Sequence, residues 1–321
     1  MRKFIYLVCL FFLVIVIFDR VFGFLMEGIS SRVEVGVTGR DNFICNKVTD
    51  DMLVFGSSRA VEHYNAQMIS DSLGIPCYNC GETGCGIILA YGRLLMILDR
   101  YTPKTIIYEV TPEFDFLDGQ DNHQFLFSLK RHYNRPGIDS IFWNVDPKEK
   151  YKMLSKMYQH NSSFLQNVVA CFTGISGETG IKGFRPYDVE MDTMKVRKGH
   201  IAYETSKDRV YDSLKIQYLH KFLDKTKGMN VFFVVSPMWY EQDTSVMAPI
   251  KEICQERGPQ LIDFANSPKY VHNNKYFKDG EHLNARGADE FTRDLIKELR
   301  KRNIGGNPCT GQAPATSVSA R

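Results

Sequence analysis

The chain has 321 residues, of which 44% are hydrophobic and 24% are charged, as is ordinary for a folded protein of one large domain or two modest ones. Its formal net charge of +3 is too small to indicate nucleic acid as a partner. No basic stripe with interleaved aromatic residues occurs, so the sequence gives no support to a nucleic-acid-binding protein.

The N-terminus predicts a membrane anchor. A basic start (residues 1–3) precedes an unbroken apolar run (4–18), and a second apolar stretch (21–26) follows Asp19 and Arg20. Basic residues before such a run stay in the cytoplasm, which sends the rest of the chain across the membrane. The first run alone suits a signal peptide, whereas a bilayer span needs about twenty residues. Because no small-x-small cleavage site follows, we expect an uncleaved anchor over residues 1–26 and an extracytoplasmic domain.

The first predicted strand carries a candidate nucleophile at its end. After a connector (27–49), the apolar run 52–55 stops at Gly56 and two serines, and a helix is predicted over 59–73. A serine at such a junction lies at the carboxyl edge of the sheet, near the positive end of the helix, where developing negative charge is favoured. Ser58 therefore fits a nucleophile, although small residues also occur in tight turns for backbone reasons alone.

A glycine-rich loop follows a short strand near residue 77. It contains the sequence Asn79-Cys80-Gly81 and two further cysteines, Cys77 and Cys85. Cys-x-x-Cys suits a zinc or redox site, but zinc needs a fourth ligand and usually a second cysteine pair, which the sequence lacks. A disulfide stays open for an extracytoplasmic domain, and small buried cysteines are favoured. We expect no metal and no cofactor.

The remaining chain alternates strands with helices. Further strands are predicted over residues 104–110, 229–235 and 260–264, and further helices over 87–101, 207–227, 245–256 and 286–302. This alternation predicts an α/β fold, a three-layer α/β/α sandwich with a central parallel sheet. We expect this domain to span residues 27–304.

Two regions depart from the alternation. Residues 116–206 have few clear elements, and we expect an insertion that caps the carboxyl edge of the sheet, where such folds place substrate determinants. Residues 305–321 are rich in Gly, Pro, Ser, Thr and Ala without apolar periodicity, which predicts a disordered tail.

A second candidate catalytic segment lies before the last predicted helix. A serine hydroxyl needs a base to take its proton, and an imidazole serves best when a carboxylate fixes its tautomer. Asp279 and His282 supply that pair three residues apart. Asp-x-x-His alone is common, but Gly-x-Ser early and Asp-x-x-His late together favour a Ser58–His282–Asp279 triad.

These segments resemble the SGNH/GDSL hydrolase family over roughly residues 51–302. Gly56-Ser57-Ser58-Arg59 stands where the family has Gly-Asp-Ser-Leu, which makes Ser58 the nucleophile and puts Ser57 in the aspartate position. The late block matches as Asp279-x-x-His282, followed by an asparagine and a glycine in the helix-opening pattern of the family.

The resemblance also implies oxyanion donors and shows one departure. Asn79-x-Gly81 matches the second block of the family, whose glycine N–H binds the oxyanion. The Gly-x-Asn-Asp block that many members carry after the next strand is absent. Another donor would be needed, such as the Ser58 backbone, the Asn79 side chain or a residue after Val110. Acyl-transfer members that modify bacterial envelope polymers also tend to lack this block.

The resemblance therefore implies a membrane-anchored, extracytoplasmic acyl-ester hydrolase or O-acyltransferase. Its expected substrate is an acylated carbohydrate or envelope polymer, and a membrane acyl-donor protein is a candidate partner. One alternative is a catalytically inactive glycan-binding or polysaccharide-assembly protein with the same fold. Another is a zinc-binding redox protein that uses Cys77, Cys80 and Cys85.

Overall fold

A computed structural model describes residues 1–174, 180–191, 201–202 and 209–305 of the chain. Except for Gly305, the predicted disordered tail lies outside these ranges, as do parts of the predicted insertion. The strands of the described part are β1 (Met52–Phe55), β2 (Cys77–Asn79), β3 (Thr105–Glu109), β4 (Ile201–Ala202), β5 (Asn230–Val235), β6 (Glu241–Gln242) and β7 (Gln260–Asp263).

Helices fill most of the chain between the strands. The α-helices of the described part are α1 (Arg2–Arg32), α2 (Gly36–Asn46), α3 (Ser58–His63), α4 (Ala66–Leu73), α5 (Ile87–Leu98), α6 (Pro112–Asp115), α7 (Ile138–Val145), α8 (Glu149–Lys152), α9 (Lys156–His160), α10 (Phe164–Thr173), α11 (Ser213–Lys225), α12 (Ala248–Arg257) and α13 (Ala285–Lys301).

Five strands form a parallel sheet in the order β2-β1-β3-β5-β7. Taken in chain order, these five strands have the spatial order 2-1-3-4-5 of a doubly wound sheet, which binds ligands at the carboxyl ends of its strands. β4 and β6 pair separately outside this sheet. The predicted strands at 52–55, 104–110, 229–235 and 260–264 all lie in it.

The sheet is covered on both faces. In β1, Leu53 and Phe55 belong to one hydrophobic core, which includes α5 and α11, whereas Met52 and Val54 belong to a second core with α4 and α13. All four side chains are buried, as the unbroken apolar run of a central parallel strand requires. The predicted three-layer α/β/α sandwich is confirmed.

The predicted helix over residues 59–73 is two helices, because the chain turns between α3 and α4. Asn65 caps α4 by accepting a hydrogen bond from the Met68 N–H at 3.0 Å. Its amide nitrogen also donates to Asp289 of α13 at 2.9 Å. Asparagine is a favoured N-cap, and this one is fixed by a tertiary contact, so helical periodicity did not reveal the break.

α1 extends past residue 26, the predicted end of the anchor, and runs without interruption to Arg32. Within the described part, it is the one helix that is long and apolar enough to cross a membrane. Residues 2–18 are exposed, whereas Gly23, Met26 and Ser30 are buried against the domain.

The described part of the predicted insertion reaches two different places. α9 and α10 pack against α1, away from the sheet edge. The segment 180–191 reaches the carboxyl edge, where the Arg185 N–H donates to the Val61 carbonyl at 2.9 Å and Tyr187 accepts from the Ala285 N–H at 2.8 Å. β4, a second described part of the insertion, pairs with β6 after the carboxyl end of β5.

Gly56, at the turn between β1 and α3, should not tolerate a side chain. Its φ is +136°, and a Cβ there would lie 2.7 Å from the Glu109 carbonyl oxygen. We expect Gly56→Ala to lower the free energy of unfolding by about 1–3 kcal/mol more than a change at an uncrowded left-handed glycine, because overpacking adds to the backbone cost.

Gly74→Ala is the matched control, since Gly74 has φ +66° with nothing within 4 Å of the added Cβ. Denaturant unfolding of both variants in the same detergent measures the difference. Equal losses would show that the contact with Glu109 costs nothing.

Candidate active site

Ser58 lies at the carboxyl end of β1. It is the first residue of α3 and is half-buried, so its hydroxyl lies at the surface of the sheet edge. A backbone N–H at this helix position has no acceptor within the helix. The preceding Ser57 is buried, and its hydroxyl bonds the hydroxyl of Thr111, which follows β3, at 2.7 Å. The two serines therefore face different surroundings, and only Ser58 is accessible.

Local contacts shape the loop that carries Asp279 and His282. Phe277 and Leu283 pair as an isolated antiparallel bridge, and the Lys278 N–H donates to the His282 carbonyl at 3.0 Å. Gly280 accepts from the Trp239 N–H at 3.0 Å, which ties the loop to the segment after β5. The loop is thus closed on itself and held from the neighbouring strand.

The asparagine and glycine of the late motif open α13. Asn284 caps this helix by accepting from the Gly287 N–H at 2.9 Å, and its amide nitrogen donates to the Lys275 carbonyl at 3.0 Å. A Cβ on Gly287 would lie 2.0 Å from the Tyr276 carbonyl oxygen. These two residues fix where the helix begins, immediately after the loop with His282.

The structure brings the three predicted triad residues together. Ser58 Oγ lies 2.8 Å from His282 Nε2, although the two residues are 224 positions apart. His282 Nδ1 lies 3.0 Å and 3.1 Å from the two carboxylate oxygens of Asp279. With a proton on Nδ1, the ring donates to Asp279 and accepts the serine hydroxyl through Nε2. This geometry lets the imidazole take the Ser58 proton.

Asp279 is held as a carboxylate. Burial opposes its charge, but the hydrogen bond and charge of His282, together with the N–H groups of Glu281 and His282, lower the pKa of Asp279 to about 2. Those two N–H groups donate to Asp279 Oδ1 at 2.9 Å and 2.8 Å. Asp279 is therefore ionised at neutral pH and can keep the Nδ1 proton on His282.

Asn79 and Gly81 bond each other and α3. The Gly81 N–H donates to Asn79 Oδ1 at 3.1 Å, and Asn79 Nδ2 donates to the carbonyls of Ala60 at 2.6 Å and Tyr64 at 3.1 Å. The Asn79 side chain is fully buried. An oxyanion role for either residue would require one of these bonds to open, and that role stays a prediction.

The Arg93 side chain of α5 holds the same loop through hydrogen bonds to three of its residues. Its guanidinium donates to the carbonyls of Cys80 at 2.9 Å and Gly81 at 3.2 Å, and to the Glu82 carboxylate at 2.6 Å. Asp41 of α2 bonds the buried guanidinium at 2.9 Å. The loop with Asn79 and Gly81 is therefore fixed by a buried cation with two carboxylate partners.

His63, which sequence reasoning did not select, connects the two halves of the site. His63 Nε2 accepts from the N–H of Leu283, the residue after His282, at 3.0 Å. His63 Nδ1 then donates to the Ser236 hydroxyl at 2.9 Å, and this hydroxyl donates to Glu109 at 2.7 Å. Burial first, and then nearby cationic groups and His282, hold the pKa of His63 well below its usual value of 6.5. No motif spacing marks a lone helical histidine.

Glu109 is the buried end of this chain of hydrogen bonds. Arg59 Nε lies 3.3 Å from its carboxylate, both side chains are buried, and the Tyr64 hydroxyl also donates to Glu109. Burial raises the pKa of Glu109, against the opposing effects of Arg59, Tyr64 and Ser236.

Arg59 stands where the family that the sequence resembles has leucine. Its guanidinium also donates to the Val110 carbonyl at 2.7 Å. It therefore links α3 to the end of β3.

Two groups of described residues have ligand atoms close enough to hold a metal ion. The first contains Asp41, Cys45 and His132, but the guanidiniums of Arg93 and Arg131 already bond Asp41. The second group is His123, Asp146 and Glu149, in which the Lys152 ammonium pairs with Glu149 at 2.6 Å. Neither group adjoins the triad.

The three loop cysteines are thiols. All cysteines that the structure describes are free, and Cys77 and Cys80 belong to different cores. Burial raises the pKa of Cys80 and the pKa of Cys85 to about 12 each. A zinc ligand or an attacking sulfur must be a thiolate, which this burial disfavours.

A cleft of about 340 Å³ is bounded on one side by α3. Its walls include Val61 of α3, Tyr78 of β2 and the two cationic side chains of Arg40 and Arg185. Ser58, Asp279 and His282 do not line it. The triad itself is open to solvent, so a bulky ester can approach it.

No protein-family profile and no curated protein sequence matches the chain. Solved structures with some likeness include an active-site mutant of a family two carbohydrate esterase from Clostridium thermocellum, with a TM-score of 0.38 and 8% identity. An acetyl xylan esterase from the rumen bacterium Butyrivibrio proteoclasticus has a TM-score of 0.37 and 9% identity.

A carbohydrate esterase whose active site is described as having divergent catalytic and non-catalytic binding functions has a TM-score of 0.36 and 9% identity. The likeness covers 78% of this chain for the first two and 79% for the third. The chain spans 63% of the length of the first two structures and 70% of the third. At these TM-scores, any function has to be argued from the chain's own residues.

The buried, neutral His63 leads to a prediction about stability and pH. His63→Leu leaves the Leu283 N–H and the Ser236 hydroxyl without this partner, which costs about 1–3 kcal/mol of unfolding free energy near neutral pH. Below pH 6.5 His63 binds a proton in the unfolded chain but stays neutral in the folded chain, because its pKa is lowered there. The wild type therefore loses up to about 1.4 kcal/mol per pH unit, and the deficit of the variant shrinks.

Denaturant unfolding between about pH 7.5 and about pH 5 measures this deficit, in the range where an ordinary histidine titrates. Ser236→Ala is the matched control, because it breaks the same chain of hydrogen bonds without removing a titratable group. A His63→Leu deficit that stays constant with pH would contradict a neutral His63.

Proposed function

We propose that this chain is a serine-dependent acyl-ester hydrolase or O-acyltransferase that acts on a carbohydrate of the cell envelope. One observation carries the proposal. Ser58 Oγ lies 2.8 Å from His282 Nε2, and Asp279 accepts a hydrogen bond from Nδ1 of the same ring at 3.0 Å. An accessible serine, a base and a fixed carboxylate are the groups that acyl transfer through a covalent intermediate requires.

The reaction begins with Ser58. Its oxygen attacks the acyl carbonyl carbon while its proton passes to His282 Nε2. The tetrahedral intermediate collapses, the bond from the carbonyl carbon to the alcohol oxygen of the substrate breaks, and His282 returns the proton to that alcohol. Asp279 stabilises the imidazolium in both steps, because its lowered pKa keeps it ionised.

The second half of the reaction regenerates the serine. Water or a glycan hydroxyl gives its proton to His282 and attacks the carbonyl carbon of the acyl-Ser58 ester. The bond from that carbon to Ser58 Oγ then breaks, His282 returns the proton to Oγ, and a free acid or a new sugar ester is released. The open triad gives either nucleophile access. The two outcomes differ only in which nucleophile is held near Ser58, so the same three residues serve a hydrolase and a transferase.

Negative charge on the carbonyl oxygen needs donors. The Ser58 N–H, at the first position of α3, is one candidate. The Gly81 N–H is a second, if it exchanges its 3.1 Å bond to Asn79 for the oxyanion. Losing one such donor typically raises the activation free energy by about 3 kcal/mol. The turnover rate should therefore depend on whether the Gly81 N–H is free to bind the oxyanion.

The substrate class and location follow from the membrane helix and the sequence resemblance. With α1 in the membrane and its basic end in the cytoplasm, the catalytic domain lies outside the cytoplasm. An enzyme tethered there, with an exposed site, suits a large envelope carbohydrate. An acyl-donor protein in the same membrane would supply the acyl group for transfer.

A catalytically inactive glycan-binding protein is a second candidate. The observation that favours it is that Asn79 and Gly81 already bond each other and α3, which leaves the predicted oxyanion donors engaged. Such a protein would keep the fold and the accessible edge without turnover. Reactivity of Ser58 separates the two candidates.

Ser58 should react with a fluorophosphonate probe, because His282 can take its proton. We expect Ser58→Ala to fold with unchanged circular dichroism and to lose both labelling and hydrolysis of p-nitrophenyl acetate. Ser57→Ala is the control at the neighbouring position, and it should keep the labelling because Ser57 is buried against Thr111. An unlabelled wild type would favour the inactive binding protein, and a labelled Ser58→Ala would place the nucleophile elsewhere.

Asp279→Asn should affect turnover far more than binding. The amide cannot hold the Nδ1 proton of His282 as the carboxylate does, so we expect kcat to fall by about four orders of magnitude with little change in KM. Steady-state kinetics on an acetyl ester at neutral pH measure both constants. Glu281→Gln is the control, since Glu281 is exposed on the same loop and contacts Asp279 only through its backbone N–H. A loss of less than tenfold would remove Asp279 from the triad.

A further inference from the structure

α10 exposes a row of apolar side chains at the surface of the protein. Leu165, Val169 and Phe172 lie on one face at helical spacing and are 77%, 56% and 80% exposed. The residue of this helix that is buried is the polar Asn167, on the opposite side. A surface helix of a soluble domain shows the reverse pattern, with its apolar face toward the core. An exposed apolar cluster of this kind marks a surface that something covers.

This helix lies beside the candidate membrane span. α10 and the neighbouring α9 both pack against α1. Asp19 of α1 caps α9: its carboxylate accepts from the N–H groups of Lys156 at 2.9 Å and Met157 at 3.2 Å, and from the Ser155 hydroxyl. Arg20 donates to the Leu154 carbonyl at 2.9 Å. These contacts fix the height of α9 relative to α1.

The length of α1 before Asp19 places this junction at a membrane surface. Residues 2–18 form 17 helical residues, which span about 26 Å at 1.5 Å per residue. The hydrocarbon core of a bilayer is about 30 Å thick. With residues 2–18 across that core, Asp19 lies near the boundary with the headgroups. α9 and α10, which are packed on α1, then lie at the same boundary.

Neighbouring side chains suit the same boundary. Leu154, beside Arg20, is 66% exposed, and Tyr151 is also exposed. Lys148 and Lys150 are exposed on the same short stretch. Cations next to exposed apolar side chains match the layer where anionic headgroups meet acyl chains.

We infer that the apolar face formed by Leu154, Leu165, Val169 and Phe172 dips into the outer surface of the bilayer that α1 spans. α10 packs on α1, and Val21, Phe24 and Leu25 of α1 are also exposed beyond Asp19. Its occupant is lipid, with the lysines on anionic headgroups. The inference rests on the membrane anchor of the proposed function and is independent of the triad. It gives the catalytic domain a second attachment and therefore a fixed orientation on the membrane.

The test uses the full chain in nanodiscs of phosphatidylcholine and phosphatidylglycerol. The buried Cys45, Cys77 and Cys80 are kept, and all remaining native cysteines are replaced by serine. One cysteine is then introduced, and an environment-sensitive fluorophore is attached to it. In separate samples the label is placed at Phe172→Cys, at Leu165→Cys and at the control Ser140→Cys, an exposed position on α7. The quencher is a lipid with a nitroxide near the top of its acyl chain.

We expect labels at positions 172 and 165 to be quenched several-fold more strongly than the label at position 140. Equal quenching at the three positions would overturn the inference. A label that is shielded from aqueous iodide but is not quenched by the nitroxide lipid would also overturn it, because a second copy of the chain or another protein would then cover the face.

Cys9, exposed within α1, distinguishes a failed anchor from a failed face. A fluorophore on Cys9 alone should be quenched by a nitroxide deep in the acyl chains. If Cys9 is quenched and positions 165 and 172 are not, the anchor stands and the inference about α10 is wrong. If Cys9 is not quenched either, the membrane anchor of the proposed function fails, and the inference fails with it.

Discussion

The 2.8 Å hydrogen bond between Ser58 and His282 is the contact on which the proposed function depends. It joins segments 224 positions apart, and the parallel sheet brings them together by placing distant strand ends at one edge. Ser58 follows β1 directly. The loop with His282 reaches the same edge because the segment after β5 holds it through the Trp239 N–H. The geometry of the parallel sheet thus sets the distance between nucleophile and base.

A buried polar network stabilises that geometry. His63 connects the backbone beside His282 to Ser236 and Glu109, and Arg59 connects Glu109 back to the nucleophile helix. Each group in this chain is buried, so leaving one unpaired costs the full desolvation penalty. The network therefore limits how far the two halves of the site can separate, while the triad remains open to solvent on its outer side.

The described domain has two surfaces with different chemistry, and the two proposals concern one surface each. At the sheet edge, polar groups converge on one accessible serine. Around Asp19, α1, α9 and α10 present exposed apolar side chains next to lysines. The predicted insertion serves both sides, since its helices pack on α1 while the segment 180–191 reaches the site. If the proposed function and the proposed membrane attachment both hold, attachment on one side would leave the sheet edge with Ser58 free for a large substrate.

The sequence alone predicted the architecture, which the structure confirms, and it selected the candidate triad residues from two short motifs, because both predictions start from local patterns. Buried apolar runs such as residues 52–55 specify parallel strands, and Asp279 and His282 lie close enough along the chain for their roles to be inferred together. Tertiary structure alone decided the rest. Asn65 caps the start of α4 and is held there by Asp289 of α13. Asn79 bonds backbone groups that only folding brings near, and His63 has its partners 173 and 220 positions away. Such contacts leave no periodic pattern in the sequence, since their energy comes from burial among distant residues.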